Sequence, residues 1–320
     1  MTSLLQDVEE KIYHNGTISF SEAISLAQTD SLEKLLNAAD RIRSKFKGNK
    51  IGLCTIMNAK SGKCSENCKF CAQSGHYVTD AVEYTLVDVQ QSIALAKENE
   101  AQGVHRFGLV TSGKVISAKD FEKIIEIIKG LKQETHLQLC ASLGCITYEQ
   151  AAWLKEAGLS RYHHNVETSS DYYEKICNTH TYLDRINTIK SVLRAGMEVC
   201  CGGIIGLGEN MTQRIRMAFE IKALGVNSVP INILNPISGT PLENMDRLQP
   251  EEILRSIAIF RFILPEAAIR YAGGRVALGE FQKNGLKAGI NAVMVGNYLT
   301  TTGNKIADDL KMIKELGFEI

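Results

Sequence analysis

The feature that most constrains the fold is a regular alternation of short apolar runs with amphipathic stretches. We interpret eight apolar runs as strands, at 51–57, 104–111, 137–143, 161–168, 198–206, 226–234, 268–274 and 291–296. Helical periodicity follows them at 86–102, 121–132, 148–157, 183–195, 212–224, 251–263, 281–287 and 306–316. Repeated strand-helix units predict parallel strands with right-handed crossovers. Eight units predict an α/β fold, a TIM-type (β/α)8 barrel with its active site at the carboxyl ends of the strands.

The positions of residues that commonly end helices agree with this interpretation. Gly158, Gly196 and Gly225 each follow a helical stretch, where a left-handed residue commonly ends a helix. Residues 1–47 have helical patterning of their own, so we predict an N-terminal helical extension at 1–47 and a barrel at 48–320. An open, doubly wound sheet is the alternative, but no G-x-G-x-x-G follows the first strand to support it.

Charge and hydropathy exclude several classes of partner. Lys plus Arg and Asp plus Glu balance at 36 each, so no net field favours nucleic acid or an anionic membrane. No apolar run approaches the roughly 20 residues needed to span a bilayer, and the first residues do not resemble a signal peptide. We therefore expect a cytoplasmic protein with a small-molecule partner, no nucleic acid and no membrane.

Three of the nine cysteines stand together directly after the first strand. Cys64, Cys68 and Cys71 form a C-x3-C-x2-C triad in a polar loop, at the predicted catalytic mouth of the barrel. Four irons held by three thiolates leave one iron with an open coordination position, which distinguishes a reactive metal site from a closed one. A zinc site is the alternative, and it would need a fourth ligand such as His76.

This spacing, with the aromatic Phe70 before the last cysteine, resembles the radical S-adenosylmethionine (SAM) superfamily. The resemblance implies a 4Fe-4S cluster on the triad, whose open iron is chelated by the amino and carboxylate groups of SAM. It further implies reductive cleavage of SAM to methionine and a 5′-deoxyadenosyl radical. The cofactors then carry the hard chemistry, while the protein supplies position and excludes water.

A more specific resemblance, to the biotin synthase family, runs from about residue 51 to residue 318. Its marks lie at 71–74, 162–169, 179–182, 199–209, 229–232, 239–242, 272–275 and 299–301. The resemblance implies insertion of sulfur between two saturated carbons of dethiobiotin, an electron donor such as flavodoxin or ferredoxin, and a homodimer. The alternatives are a hydrogenase-maturation or methylornithine-forming enzyme of the same branch and, in another class, an iron-sulfur scaffold.

The same resemblance assigns residues to SAM. Arg185 matches the arginine that receives the methionyl carboxylate, where bidentate geometry adds specificity. Glu167 stands where the family commonly has Asp and is expected at the ribose hydroxyls. Ile204 is expected beside adenine, and Phe70 and Asn165 complete the cofactor-binding set.

Dethiobiotin needs partners for a ureido ring and a carboxylate. Asn165 and Asn232 match the family's ureido-binding positions, and an amide can both donate and accept hydrogen bonds. Thr300 and Thr301 match the pair that binds the valerate carboxylate. Thr302 extends this run and leaves its register open.

The family's sulfur source is a second cluster inside the barrel, usually held by three cysteines and one arginine. Cys140, Cys200 and Arg270 match three of these positions, but the fourth, on the second strand, is Gly108. Inward side chains of such a barrel stack in layers of four from alternate strands, and Cys54 lies on the first strand. We hypothesise that Cys54 replaces the missing ligand. Both a 2Fe-2S cluster and a four-iron cluster with an extra sulfide are compatible with this set.

Other cysteines leave a further alternative. Cys201 follows Cys200, so strict alternation points it outward unless a bulge intervenes. Cys145, past the third strand, could complete an alternative site with Cys201. Cys177 falls in the loop before Thr179.

Overall fold

The computed structural model describes residues 4–320. Its first helices are α1 (Leu4–Tyr13), α2 (Phe20–Ala27) and α3 (Leu32–Lys47). Helix α3 packs against α9 (Pro250–Ile263), and α2 packs against both α8 (Met211–Ala223) and α9, so these helices lie on the outside of the following domain. The predicted extension at 1–47 thus contains three helices, and its first three residues lie outside the described part.

The remainder alternates strands with helices. The strands are β1 (Gly52–Lys60), β2 (Arg106–Thr111), β3 (Gln138–Ser142), β4 (Arg161–His163), β5 (Glu198–Cys200), β6 (Gly203–Ile205), β7 (Ser228–Ile233), β8 (Ala268–Tyr271) and β9 (Ala292–Met294). The other helices are α4 (Val89–Ala101), α5 (Ala118–Glu134), α6 (Tyr148–Glu156), α7 (Tyr182–Arg194), α10 (Gln282–Leu286) and α11 (Ile306–Glu315).

All strand pairings in this sheet are parallel, and the sheet closes on itself. The hydrogen-bonded order is β5-β4-β3-β2-β1-β9-β8-β7-β6, and β5 also pairs with β7 at Cys200 and Ser228. Since β5 and β6 both pair with β7, they are two halves of one barrel strand, and the barrel has eight strands among residues 4–320. The predicted (β/α)8 barrel is confirmed, and the open-sheet alternative is wrong.

The fifth barrel strand is interrupted at Cys201 and Gly202. Gly202 passes so close to β7 that a Cβ there would lie 1.8 Å from the carbonyl oxygen of Pro230. Its amide instead donates to the side-chain oxygen of Asn165 over 3.0 Å. A larger residue could not occupy this position without moving β7, and the interruption places Asn165 at the carboxyl ends of the strands.

Helix ends follow the sequence signals. Thr181 begins α7 with a reciprocal cap, in which its hydroxyl accepts from the amide of Asp184 and the Asp184 carboxylate accepts from the Thr181 amide. Gly158, Gly196 and Gly225 have φ values of 110°, 72° and 70°, as expected for residues that end helices in the left-handed region. Within the described chain, none of the helices has the length and apolar character needed to cross a bilayer.

A buried ion pair attaches the last helix to the barrel. The Arg275 guanidinium donates to Asp309 of α11, and both side chains are fully buried. Asp309→Asn is expected to lower the free energy of unfolding by about 3–5 kcal/mol, because it leaves a buried guanidinium charge unpaired. Urea unfolding measures this loss. The same change at exposed Asp308 is the control, with an expected cost under about 1 kcal/mol. Equal losses in the two variants would contradict this role for the pair.

Candidate active site

The triad loop leaves the carboxyl end of β1 and folds back on itself. The Cys64 amide donates to the carbonyl of Gln73 over 3.0 Å, and the Cys71 amide donates to the carbonyl of Cys68 over 3.0 Å. All three cysteines line one cavity of about 400 Å³. Burial raises the pKa of Cys71 to about 11. The thiol therefore stays protonated unless a metal ion displaces its proton.

The structure adds two residues beside Cys68 that the sequence interpretation did not assign to a site. The ligand atoms of Cys68, Cys177 and His180 all lie within 4.8 Å of one another. Cys177 Sγ is 3.1 Å from His180 Nδ1, and its hydrogen bond with Cys68 raises the pKa of the Cys68 thiol. His76, the fourth zinc ligand considered from sequence, instead places Nε2 2.9 Å from the carbonyl of Ser65.

His180 connects the triad loop to α7. Its Nδ1 lies 2.6 Å from a carboxylate oxygen of Glu66, and its Nε2 lies 2.9 Å from a guanidinium nitrogen of Arg185. Because a guanidinium can only donate, Nε2 must be the acceptor and Nδ1 carries the proton toward Glu66. The motif at 179–182 was visible in sequence, but nothing local to it indicated that His180 would meet Glu66.

Arg185 is buried, lines the cavity and is held from several sides. Its Nε donates to the Tyr173 hydroxyl over 2.7 Å, and Nη1 donates to the carbonyl of Asn165 over 3.0 Å. A carboxylate oxygen of Glu167 lies 3.3 Å from Nη1. These contacts fix the plane of the guanidinium beside the triad, where an incoming carboxylate could reach it.

Glu167 and Asn165 form a rigid corner after β4. Glu167 has a φ of 67°, in the left-handed region that side-chain-bearing residues rarely adopt. The Asn165 amide nitrogen donates to the Glu167 carboxylate over 3.2 Å. Ile204 and Phe70 line the same cavity and pack against one apolar cluster. The predicted SAM residues are therefore brought together at one side of the mouth.

The residues predicted for substrate also line this cavity. Asn232 donates to the carbonyl of Gly203 over 3.1 Å and accepts from the amide of Gly273 over 2.9 Å. Since an amide has two N–H groups and two lone pairs, a further donor and a further acceptor remain available. Thr300 and Thr301 line both this cavity and a neighbouring one of about 310 Å³, whereas Thr302 lines the neighbouring one and not the main cavity.

Deeper in the barrel, the structure brings together Cys54, Cys140, Cys200 and Arg270, which all line the cavity. Arg270 Nη1 lies 3.4 Å from Cys200 Sγ. Burial raises the pKa of Cys140, and the neighbouring Cys200 and Cys54 raise it further. Burial opposes ionisation of Cys200, yet the hydrogen bond with His163 and the charge of Arg270 lower its pKa to about 6.

The second strand contributes a backbone to this region but no thiol. Gly108 pairs with Cys140 in the sheet, and a Cβ built on it would lie 3.8 Å from the Cys140 Cβ and 3.3 Å from Ile56 Cγ2. A side chain at this position would thus face the cysteine set after a small shift of Ile56. Among residues 4–320, no atom accepts a hydrogen bond from buried Arg270 Nε, which leaves one donor of this cavity-lining side chain without a partner.

The two cysteines of the alternative site, Cys145 and Cys201, lie in different surroundings. Cys145 lines the cavity near its mouth, whereas Cys201 is fully buried among apolar core residues. The structure therefore does not bring Cys145 and Cys201 to a common opening. Two charged residues absent from the sequence interpretation, Arg106 and Arg161, line the cavity and pair in the sheet with Cys54 and Cys140.

Comparisons with known proteins agree with this geometry. Residues 59–221 match the model of the Radical SAM superfamily. Among solved structures, the barrel resembles methylornithine synthase, with a TM-score of 0.84 and 19% identity over 98% of this chain and 96% of that one. It also resembles the FeFe-hydrogenase maturase from Carboxydothermus hydrogenoformans, with a TM-score of 0.82 and 16% identity over 98% of this chain and 78% of that one. At these identities the structural likeness shows the fold alone. The superfamily match, with the triad at the barrel mouth, defines the chain as a radical SAM enzyme.

Sequence relatives narrow this class to one family. Residues 230–319 match the Biotin and Thiamin Synthesis associated domain. The chain is 60% identical to the biotin synthase of Acetivibrio thermocellus, over 98% of each protein. It is 54% identical to that of Clostridium tetani, over 100% of this chain and 99% of the relative. The chain belongs to the biotin synthase family, which decides against the maturase and methylornithine alternatives.

Proposed function

We propose that this chain converts dethiobiotin to biotin, using two cysteine sets at different depths of one cavity. The observation that carries the proposal is this arrangement: the triad lies at the mouth, and Cys54, Cys140 and Cys200 lie deeper. Side chains suited to a ureido ring and a carboxylate line the same space. A substrate bound there would have one cysteine set on the mouth side and the other on the inner side.

At the mouth, Cys64, Cys68 and Cys71 would hold the 4Fe-4S cluster that binds SAM. When bound, this group supplies the electron that cleaves SAM to methionine and a 5′-deoxyadenosyl radical. Arg185 would pair with the methionyl carboxylate, and its fixed plane would orient it. Glu167 would accept bonds from ribose hydroxyls, while Ile204 and Phe70 would exclude water beside adenine.

At depth, three thiols and a guanidinium fit an auxiliary iron-sulfur cluster. The unpartnered donor of Arg270 suits an acceptor such as cluster sulfide, and the lowered pKa of Cys200 favours the thiolate, the form that binds iron. The ligand set would be Cys54, Cys140, Cys200 and Arg270, and either a 2Fe-2S or a four-iron cluster with extra sulfide would supply sulfur there. The electron donor, a flavodoxin or ferredoxin, and the homodimer stay predictions.

One anaerobic assay tests this function. Reconstituted protein is incubated with SAM, a reductant and dethiobiotin, and biotin and 5′-deoxyadenosine are measured by mass spectrometry. Both products are expected. Deoxyadenosine without biotin would retain the radical SAM class and reject the substrate. Absence of deoxyadenosine would reject the enzymatic function and favour the alternative, an iron-sulfur scaffold.

The threonine pair provides a test of substrate placement. Thr301→Val is expected to raise KM for dethiobiotin about tenfold, the effect of losing one hydrogen bond to a charged group. Deoxyadenosine formation without substrate should not change. Thr302→Val is the matched control, because both threonines line the neighbouring cavity but Thr302 does not line the main one. If both variants raise KM equally, the effect belongs to the loop and not to the Thr301 hydroxyl.

A further inference from the structure

Two arginines lie beside the deeper cysteines, at the amino ends of the neighbouring strands. Arg106 begins β2 and pairs in register with Cys54, and Arg161 begins β4 and pairs with Cys140. Both line the cavity. With Arg270, they place three guanidinium groups around the thiols.

These arginines also reach the outside of the barrel. Arg161 Nη2 lies 2.7 Å from Glu198, whose side chain is 61% exposed, while the Arg161 side chain is only 14% exposed. Arg106 donates to the Ser160 hydroxyl over 2.9 Å and lies 3.8 Å from the same Glu198 carboxylate. One layer of side chains therefore separates the cysteine set from solvent at the floor of the barrel.

The charges at this floor favour a small anion. Arg106 and Arg161 share one carboxylate, Glu198, which is mostly in water, while Arg270 faces Cys200. An anion that enters this low-dielectric space gains from the field, and it can compete with Glu198 for Arg161.

The proposed reaction requires such an anion, and this inference rests on that function. Each biotin formed removes one sulfur atom from the deeper site, so repeated turnover needs sulfur from outside. The mouth would be occupied by SAM and substrate during the reaction, whereas at the floor one layer of side chains separates the cysteine set from solvent.

We infer that Arg106 and Arg161 form a binding site for hydrosulfide, through which sulfur reaches Cys54 and Cys140 from the floor of the barrel. The anion takes the place of the Glu198 carboxylate at Arg161. The incoming sulfur would form a bond to iron of the cluster held by Cys54, Cys140 and Cys200, at the position left by the sulfur that went into biotin. It would stay at the oxidation level of sulfide, so no oxidant is needed, and its proton would pass to water.

The first test uses the reconstituted holoenzyme without SAM or substrate. Isotopically heavy hydrosulfide is added, and its appearance in acid-labile sulfide is followed by mass spectrometry. Arg161→Met is expected to slow exchange about tenfold, the effect of losing a charge-assisted contact. Arg161→Lys should retain most of the rate. Glu198→Gln should accelerate exchange, because it removes the competing carboxylate.

Opposite effects of Arg161→Met and Glu198→Gln are the result that a purely structural role would not produce, since both changes break the same ion pair. Arg216→Met is the control, because Arg216 forms an exposed ion pair with Asp171 elsewhere. Iron content should equal that of the parent enzyme in every variant. Equal rates in all variants, or slowing in both ion-pair variants, would overturn the inference.

A second test follows the product. With SAM, reductant, dethiobiotin and limiting heavy hydrosulfide, the first equivalent of biotin should carry the original sulfur and later equivalents the heavy isotope. Arg161→Met should form the first equivalent normally and reduce the heavy product about tenfold. No first equivalent from the parent enzyme would reject the proposed function. Parent-like heavy product from Arg161→Met would reject only the floor site.

Discussion

Replacing Cys71 with alanine is expected to abolish 5′-deoxyadenosine formation. Loss of a residue that merely supports a metal ligand costs about 10–100-fold, so loss of a ligand itself should exceed about 100-fold. Cys71 is the clearest choice within the triad, because Cys68 has Cys177 beside it as a substitute thiol. The readouts are deoxyadenosine by mass spectrometry and iron per chain after reconstitution.

Cys145→Ala is the matched control for this experiment. Cys145 lines the same cavity but stands outside both proposed ligand sets. It should leave deoxyadenosine and iron content close to those of the parent. Cys71→Ala with parent-like deoxyadenosine formation would contradict the assignment of the triad, and equal losses in both variants would show a general effect of removing a cavity thiol.

The second large effect is expected at Cys54. Cys54→Ala should lower biotin formation more than about 100-fold by the same ligand argument, while deoxyadenosine formation continues. This split separates the two sites, because the triad would still cleave SAM. Iron and acid-labile sulfide should fall by the content of one cluster, and the triad's cluster should remain in the spectrum.

Adding Gly108→Cys to the Cys54→Ala variant tests whether a thiol from the second strand can take over the role of Cys54. The new thiol would start from a Cβ 3.8 Å from that of Cys140, with Ile56 shifting by a few tenths of an ångström. We expect this double variant to recover part of the auxiliary-cluster iron and biotin, since it restores three thiols to the same space. Unchanged iron and sulfide in Cys54→Ala would reject Cys54 as a ligand, and recovery by Gly108→Ser to the same extent would reject the thiol explanation.

Sequence patterns predicted the barrel because each strand and helix carries its own signal. The run at 198–206 is an element that the sequence predicted only in part. It was predicted as one strand, but the structure divides it into β5 and β6 at Gly202. At the division Gly202 lies close to Pro230, and a contact between distant segments leaves no periodic trace in either segment.

The candidate site also has a part that the sequence predicted and a part that only the structure showed. Cys64, Cys68 and Cys71 lie within eight residues, so their spacing alone indicated a shared metal. Barrel layering made Cys54 a reasonable partner for Cys140, but it did not reveal the arginines that pair with them in the sheet. His180 was part of a recognised motif, yet its bridge from Glu66 to Arg185 depends on two loops meeting.

The sequence by itself determined the class of fold, the triad and the family, because periodicity, local spacing and residue identity are properties of neighbours in the chain. Only the tertiary structure decided which groups share a cavity and which side of it they face. Arg161 and Glu198, for example, are separate charges in sequence and one ion pair at the barrel floor. Burial and electrostatic coupling depend on distance in space, and closure of the barrel is what sets those distances.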